Sequence, residues 1–255
     1  MDIQAELISI GNELLSGQTL NTHGRDLGEA LQNIGLRLSR DTTIPDDIPI
    51  IGSAIDDSLD RVDLVVVSGG LGPTIDDITR DALAELFSRK IVLDQPTVDK
   101  MEIFFEKKGK RMSLAATRQA QVLEGAAVLN NSVGLAPGQR IETNDGKIIF
   151  VLPGPPNEFN AILSEEIMPW LKIKYAHIKP LIVRFVRTQG IGESDIVTIL
   201  EKEHFQPLDV DLGFYPGKGR VKIRLSSTAD NENKVLEAQA RLQEFLAEHI
   251  VTEDS

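Results

Sequence analysis

The sequence has no cysteine in its 255 residues. This absence excludes disulfide bridges, zinc–thiolate sites and cysteine nucleophiles. It is typical of a reducing compartment, and we expect a cytoplasmic protein. The chain also lacks a long apolar run and a basic, apolar leader at its N-terminus. We therefore expect neither a transmembrane span nor a signal peptide.

Aromatic residues make up only 5% of the chain, and the formal net charge is -12. An acidic protein with few aromatic rings has little general affinity for nucleic acid or anionic lipid, so we expect neither partner. A small anion in a local pocket is still compatible with this charge. The sequence has no Walker-type phosphate loop and no G-x-S-x-G serine motif, and its four histidines show no metal-ligand spacing.

Strand-like and helix-like segments alternate through the first two-thirds of the chain. The apolar runs at residues 63–67 and 147–153 predict strands that are buried on both faces. Helical patterns fill the intervals, including residues 77–87 and 113–121. This alternation predicts an α/β fold with a mostly parallel sheet sandwiched by helices. We place this domain at residues 1–174 and a second, smaller α+β domain at residues 178–255.

A glycine-rich loop, "SGGLGPTIDDITRD", joins the first buried strand to a helix. Glycine backbone and a helix N-terminus together favour phosphate binding. Two adjacent aspartates would repel that phosphate unless a cation lies between them, and Mg²⁺ suits carboxylate and phosphate oxygens. We therefore expect Mg²⁺ or another divalent metal on Asp76 and Asp77. The predicted substrate contacts in this loop are Gly69, Gly70, Leu71, Gly72, Pro73 and Thr74. The simpler alternative is a tight connection in which Asp76 or Asp77 caps the helix.

Three more polar positions follow predicted strands or open a helix. Glu13 comes shortly after the first strand, and Asp46 comes after the second, beside Asp47, which we expect to cap the next helix. The loop "LPGPPNEF" follows the second buried strand and offers Gly154 and Asn157 as substrate contacts. Because ligands of such sheets bind beyond the carboxyl ends of the strands, all these loops should meet at one edge.

Four motifs, in this order, carry a resemblance to a known family. They are "GNELLSGQTLNTHGRDLGEALQNIG", "VVSGGLGPTIDDITRDALAE", "RQAQVLEGAAVLNNSVGLAPG" and "LPGPPNEF". The combination resembles the CinA family (competence/damage-inducible protein A). The N-terminal domain of that family is similar to the molybdopterin-binding domain of the MoaB, MogA and MoeA proteins. The resemblance implies a MoaB/MogA-like fold over about residues 4–172 and the family's small middle domain over residues 180–255.

For the first domain, the resemblance implies metal-dependent hydrolysis of ADP-ribose to AMP and ribose 5-phosphate. Asp77, Asp46 and Glu13 are the implied catalytic residues, because they stand where the family or its pterin-binding relatives carry acidic residues. For the aspartate after the second strand, the resemblance fits Asp46 or Asp47. Full-length members continue into a domain that deamidates nicotinamide mononucleotide. Since the chain ends before the corresponding segment, that activity is not expected here.

The sequence departs from the family pattern at His23, Ala116 and Leu135, where asparagine, asparagine and threonine are frequent. These departures favour an alternative, a non-catalytic protein that binds a nucleotide or molybdopterin. Adenylyl transfer or molybdate insertion in molybdenum-cofactor synthesis is a further alternative. In every case the expected partner is a small nucleotide or pterin, and we expect a homodimer.

Overall fold

The computed structural model describes residues 3–251. The ends of the two predicted domains, residues 1–2 and 252–255, lie outside the described residues. The chain forms two compact units. The larger one runs to Gln32 and over Leu36–Ala176, and the smaller one comprises Asn33–Gly35 and the chain from His177 onward. None of the helices described is both long and apolar enough to cross a membrane.

The larger unit is built on a six-stranded sheet with the strand order β2-β1-β3-β8-β7-β6. Strands β1, β2, β3 and β8 are parallel to one another, and β7 and β6 continue the sheet in antiparallel pairs. The predicted α/β class with a mostly parallel sheet is therefore confirmed. The strands of this unit, with the short pair β4 and β5, are β1 Gln4–Ile10, β2 Arg37–Ile44, β3 Leu64–Ser68, β4 Ile91–Leu93, β5 Gln121–Leu123, β6 Ala127–Leu129, β7 Gly138–Glu142 and β8 Ile148–Leu152.

Strands β3 and β8 lie at the centre of the sheet and are buried along their whole length. Their side chains alternate between the two faces, so an unbroken apolar run is needed to fill both. On one face, Val65 and Val151 pack with Ile51 and Ile55 of a helix and with Leu83 of another. This explains why both apolar runs were recognisable as buried strands.

Helices cover the sheet and connect its strands. Asp47 caps the helix that begins at Ile48, because its Oδ1 accepts from the N–H of Ile50 at 3.1 Å, as predicted. The last helix of the unit contains one π-helical turn, Leu163–Ile167. The α-helical segments are α1 Asn12–Leu15, α2 His23–Gln32, α3 Ile48–Arg61, α4 Thr79–Phe87, α5 Gln95–Lys107, α6 Leu114–Thr117, α7 Pro156–Ile162 and α8 Met168–Lys174.

The helix predicted over residues 113–121 is wrong in its second half. The α-helix ends at Thr117, a single 3-10 turn follows, and the chain then enters β5. Strand β5 pairs antiparallel with β4, and this pairing buries Val122 and Leu123. A partner 30 residues away in sequence therefore overrides the local helical pattern.

The smaller unit is a three-stranded antiparallel sheet with the order β10-β11-β9 and two helices. Its core is separate from that of the larger unit and includes Val186, Ile223, Leu225 and Leu242. The elements are β9 Leu181–Gln189, α9 Glu193–Lys202, β10 Asp211–Gly217, β11 Arg220–Thr228 and α10 Glu232–Phe245. Strands and helices are both present, as the predicted smaller α+β domain requires.

Candidate functional site

The chain leaves β3 through two glycines in conformations that other residues rarely adopt. Gly69 has a φ of 107° and Gly70 a φ of 67°. A Cβ atom on Gly69 would lie 2.2 Å from the carbonyl oxygen of Ile10, and one on Gly70 would lie 2.1 Å from Oγ1 of Thr79. Since no side chain fits either space, glycine is required at both positions and the loop lies against the end of β1.

Asp77 binds the loop that precedes it. Its Oδ1 accepts from the N–H of Gly72 at 2.7 Å, and its Oδ2 accepts from the N–H of Thr74 at 2.7 Å and from the Thr74 hydroxyl. The carboxylate therefore accepts hydrogen bonds from two N–H groups that the sequence analysis had predicted to bind phosphate. Helix α4 begins at Thr79 with Ile78 at the cap position, so the helix-cap alternative is wrong.

Only part of the loop is left to hold an external anion. Gly69 donates its N–H to the carbonyl of Leu152 at 3.0 Å, and Pro73 has no N–H. Gly70 and Leu71 donate none of the hydrogen bonds found in the described part of the chain. If a phosphate docks on this loop, these two N–H groups are the available donors.

Arg80 lies beneath the loop and was not among the predicted site residues. It is 1% exposed, and its two terminal nitrogens donate to the carbonyls of Leu71 and Gly72 at 2.8 Å each. Because the C=O and N–H of a peptide point in opposite directions, holding the Leu71 carbonyl turns the N–H of Gly72 toward Asp77. Burial lowers the pKa of Arg80 to about 10, and the nearby Asp77 carboxylate opposes that shift. Arg80 therefore keeps its charge at neutral pH.

The ends of β1 and β2 bring Glu13 and Asp46 to the same edge of the sheet. Asp46 Oδ2 accepts from the N–H of Asn12 at 2.9 Å, which ties the loop after β2 to the loop after β1. Glu13 follows in the short helix α1 and is exposed. Its carboxylate lies next to Gly11, where a Cβ atom would be 2.5 Å from Oε1 of Glu13.

The loop after β8 packs on the glycine loop. Ser68 Oγ donates to the carbonyl of Pro153 at 3.2 Å, and a Cβ on Gly154 would be 3.5 Å from the Cα of Gly69. Glu158, in the first turn of α7, was not predicted as a site residue. Its Oε2 accepts from Nδ2 of Asn131 at 2.6 Å, so a third loop is fixed beside the other two.

These loops surround a cleft of about 500 Å³. The residues from Gly69 to Pro73, Gly154 and the predicted acidic residues all contribute to its wall. Thr74 and Asn157 are exposed and do not line it. No lysine, arginine or histidine lies among the described residues that line the cleft, whereas five carboxylates do: Glu13, Asp46, Asp76, Asp77 and Glu158.

The donor set of the cleft suits a hard divalent cation. The Thr74 side chain and the N–H of Asp76 itself lower the pKa of Asp76, so this exposed carboxylate is ionised at neutral pH. Over residues 3–251, no three acidic, histidine or cysteine side chains form a group that could hold a metal alone. Mg²⁺ commonly uses one or two carboxylates and completes its shell with ligand phosphates and water. The cleft therefore fits a cation that protein and ligand share.

His23 lies beneath the loops and outside the cleft. It is 4% exposed, its ring stacks on Phe159 with centroids 4.2 Å apart, and its Nδ1 is 3.1 Å from Oγ of Ser68. Its Nε2 has no hydrogen-bond partner in the described structure. Burial lowers the pKa of His23, an effect that Asp26 and the backbone of Gly154 oppose. His23 is therefore neutral at pH 7 and supports the junction of two loops.

The other two departures from the family pattern also lie away from the cleft wall. Ala116 is buried in a small apolar cluster with Val98 and Met101, and Leu135 packs against that cluster. Neither residue lines the cleft. The three departures therefore change packing around the site and do not remove a polar group from its lining.

Two family models match the chain. One, described as "Probable molybdopterin binding domain", covers residues 6–173, and the other, "Damage-inducible protein CinA KH domain", covers residues 183–251. The chain is 37% identical over 253 residues to a "Putative competence-damage inducible protein" of Caldicellulosiruptor saccharolyticus. The alignment covers 97% of this chain and 61% of that protein. The chain is 35% identical to a "CinA-like protein" of Kosmotoga olearia, over 97% of this chain and 60% of that one.

A crystal structure of a CinA protein of unknown function from Thermoplasma acidophilum is also similar. It is 32% identical, with a TM-score of 0.59, over 66% of this chain and 98% of that one. The chain spans about three fifths of the length of the curated relatives it matches. The predicted family is confirmed: this chain belongs to the CinA family, with a molybdopterin-binding-type domain followed by a CinA KH domain.

Proposed function

We propose that the cleft binds a phosphorylated nucleotide together with a divalent cation and hydrolyses its pyrophosphate. The substrate we favour is ADP-ribose, which gives AMP and ribose 5-phosphate. One observation carries the proposal: among residues 3–251, five carboxylates and no cationic side chain line a cleft into which a glycine loop also opens. An anion can dock on the N–H groups of Gly70 and Leu71 only if a cation offsets those carboxylates.

The metal would be held by carboxylates at the mouth of the glycine loop. Asp76 is exposed and ionised, whereas both oxygens of Asp77 already accept hydrogen bonds from the loop. We therefore assign Asp76 as the main ligand and Asp77 as the residue that sets the loop, with at most one remaining lone pair offered to the metal. A bound divalent cation would neutralise the diphosphate and polarise the phosphorus that is attacked.

Glu13 and Asp46 are the candidates for activating water, because they line the cleft from the neighbouring strand ends. In the reaction, the water oxygen forms a new P–O bond and the bridging P–O bond breaks. The water proton passes to the carboxylate, and the departing phosphate leaves as AMP or ribose 5-phosphate. Asp46 is held in place by the N–H of Asn12, whereas Glu13 is exposed. We therefore favour Asp46 as the base.

The adjacent aspartates offer a matched pair of variants. Asp46→Asn keeps an oxygen for the N–H of Asn12 but loses the basic carboxylate, so AMP release should fall roughly 100- to 1,000-fold. Asp47→Asn makes the same charge change at a helix cap, where asparagine also caps well, and AMP release should be nearly unchanged. Both are measured by chromatography with ADP-ribose and Mg²⁺, Mn²⁺, Co²⁺ or Ni²⁺. Absence of AMP with every metal would refute hydrolysis of ADP-ribose.

The second candidate is a protein that binds a nucleotide or pterin without turnover. The hydrogen bonds of Asp77 favour this candidate. Its carboxylate accepts from two of the loop N–H groups, so fewer N–H donors are available to stabilise the charge of a transition state. Calorimetric titration with ADP-ribose and metal distinguishes the two candidates. Stoichiometric binding with no AMP after prolonged incubation supports the binding protein, and turnover rules it out. Adenylyl transfer is tested by chromatography with ATP, metal and molybdopterin, where the adenylylated pterin and released pyrophosphate would both appear.

A further inference from the structure

The residues that line the cleft of the larger unit offer many hydrogen-bond acceptors and few donors. In the part of the chain that the structure describes, they include five carboxylates, which only accept hydrogen bonds when ionised. Two lining residues, Thr19 and Gln119, carry a side chain that can donate. The Thr19 hydroxyl can donate or accept, whereas the NH₂ of the Gln119 amide can only donate. Apart from a metal and the glycine loop, an anion in the cleft therefore has few groups to bind.

The amide of Gln119 has no protein partner. Gln119 is partly buried, and its side chain forms no hydrogen bond with any other residue of the described chain. Two other side-chain amides of this unit are committed to protein contacts. Asn131 donates to Glu158, and Gln139 accepts from the N–H of Leu123. Since a partly buried amide needs a hydrogen-bond partner, Gln119 is left to bind solvent or a ligand.

The turn that carries Gln119 is fixed beside the glycine loop. Arg118 donates to the carbonyl of Asp77 at 3.4 Å, and Asp77 is the residue whose carboxylate binds that loop. On the other side, Ala120 is fully buried, and its carbonyl accepts from the N–H of Asp94 at 2.9 Å. Both neighbours of Gln119 are therefore anchored, so this residue lines the cleft from a fixed position.

We propose that the amide of Gln119 donates a hydrogen bond to a phosphate oxygen of the diphosphate that binds in the cleft. This inference rests on the proposed function and adds a side chain that holds the same substrate. The N–H groups of Gly70 and Leu71 and the metal serve only some of the oxygens of a diphosphate. A neutral donor suits the others, because a cationic side chain would pair with the surrounding carboxylates and compete with the metal for them.

The test uses the full chain with Mg²⁺ and methylenebisphosphonate, a diphosphate analogue that has neither base nor sugar and is not hydrolysed. Isothermal titration calorimetry measures its affinity. Gln119→Ala removes the donor and should weaken binding roughly 10- to 100-fold, the effect of one hydrogen bond to a charged acceptor. Gln119→Glu replaces the donor with a further carboxylate and should weaken binding more. With ADP-ribose as the substrate, both variants should also release AMP more slowly.

Gln121→Ala and Gln121→Glu are the matched controls. They make the same changes in the next strand, at a position that does not line the cleft. Both should bind the bisphosphonate as tightly as the unmodified chain does, and circular dichroism should show that all four variants are folded. Equal losses in the Gln119 and Gln121 variants would overturn the proposal, because the effect would then come from charge or folding at a distance.

Three other outcomes decide the proposal. It is overturned if the unmodified chain does not bind the bisphosphonate or if Gln119→Ala binds it equally well. It is also overturned if Gln119→Ala weakens binding of ADP-ribose alone, since the amide would then contact the nucleoside. If the unmodified chain releases no AMP but Gln119→Ala still weakens bisphosphonate binding, hydrolysis is refuted and the phosphate contact is supported.

Discussion

At the scale of single residues, two opposite charges shape the glycine loop from its two sides. Asp77 accepts from two loop N–H groups, and Arg80 donates to two loop carbonyls. Each ion is thereby hydrogen-bonded by backbone, which offsets part of the cost of desolvating it. Asp77, which the sequence suggested as a metal ligand, is thus a structural part of the loop. Its effect on stability can be measured separately from its effect on metal binding.

Asp77→Asn should destabilise the protein more than Asp76→Asn. An amide at position 77 can accept from one loop N–H but turns its own NH₂ toward the other, so we expect a loss of about 1–2 kcal/mol in the free energy of unfolding. Asp76 is exposed, and its variant should unfold at the same urea concentration as the unmodified chain. Urea titrations followed by circular dichroism measure both. Equal stability of the two variants would contradict the structural role of Asp77.

His23 should make the stability of the protein depend on pH. Burial holds its pKa below the ordinary value of 6.5, so the folded form stays neutral while the unfolded chain takes up a proton. The free energy of unfolding should therefore be fully present above pH 6.5 and should fall as the pH drops below it, by at most about 1.4 kcal/mol per pH unit.

The control for this pH dependence is another histidine. His23→Gln should flatten the decrease between pH 6.5 and 5, whereas His204→Asn, at an exposed position, should leave it in place. Urea unfolding at a series of pH values gives the comparison. If the two variants show the same pH profile, His23 does not contribute to it.

At the scale of elements, local sequence and long-range pairing decided different parts of the fold. Strands β3 and β8 were predictable because a short, continuous apolar run in an α/β protein is typical of a strand that is buried on both faces of the sheet. The end of α6 could not be predicted, because Val122 and Leu123 gain burial only when β5 pairs with β4. Strands β6 and β7 were also missed. Strand β6 is only three residues long and β7 is mostly polar, so neither has a local strand pattern, and both form through pairing with a neighbouring strand.

Two glycines test how tightly the glycine loop is fitted. Gly69→Ala places a Cβ 2.2 Å from a backbone oxygen at a positive φ, and it should lower the free energy of unfolding by at least about 2 kcal/mol. Gly52→Ala lies within helix α3, where a Cβ meets nothing within 4 Å, and it should raise stability by about 0.5–1 kcal/mol. Thermal or urea unfolding measures both. A Gly69 variant of unchanged stability would show that the loop can move away from β1.

At the scale of the whole molecule, two cores support two units. The larger unit packs around Val65 and Val151, and the smaller one packs around Ile223 and Leu242. Trp170 is the single tryptophan of the chain and lies in the larger unit. Tryptophan fluorescence therefore reports on one unit, while far-ultraviolet circular dichroism reports on both.

Leu242→Ala should destabilise the smaller unit alone. The side chain is fully buried, so its removal should cost about 3 kcal/mol. An early transition should then appear in circular dichroism, while the midpoint of the Trp170 fluorescence transition stays where it was. Leu236→Ala, at an exposed site on the same helix, is the control and should shift neither signal. A shift of both signals with Leu242→Ala would show that the two units unfold together.

The sequence by itself determined the class of the fold, the order of its main elements and the edge of the sheet at which the polar loops gather. These follow from local patterns: apolar runs, glycines after strands and acidic residues at loop positions. Only the tertiary structure decided that Asp77 binds its own loop, that Arg80 lies beneath it and that Glu158, not Asn157, lines the cleft. The reason is physical: a hydrogen-bond partner or a cleft wall depends on the approach of segments far apart in the chain, and no local pattern encodes that approach.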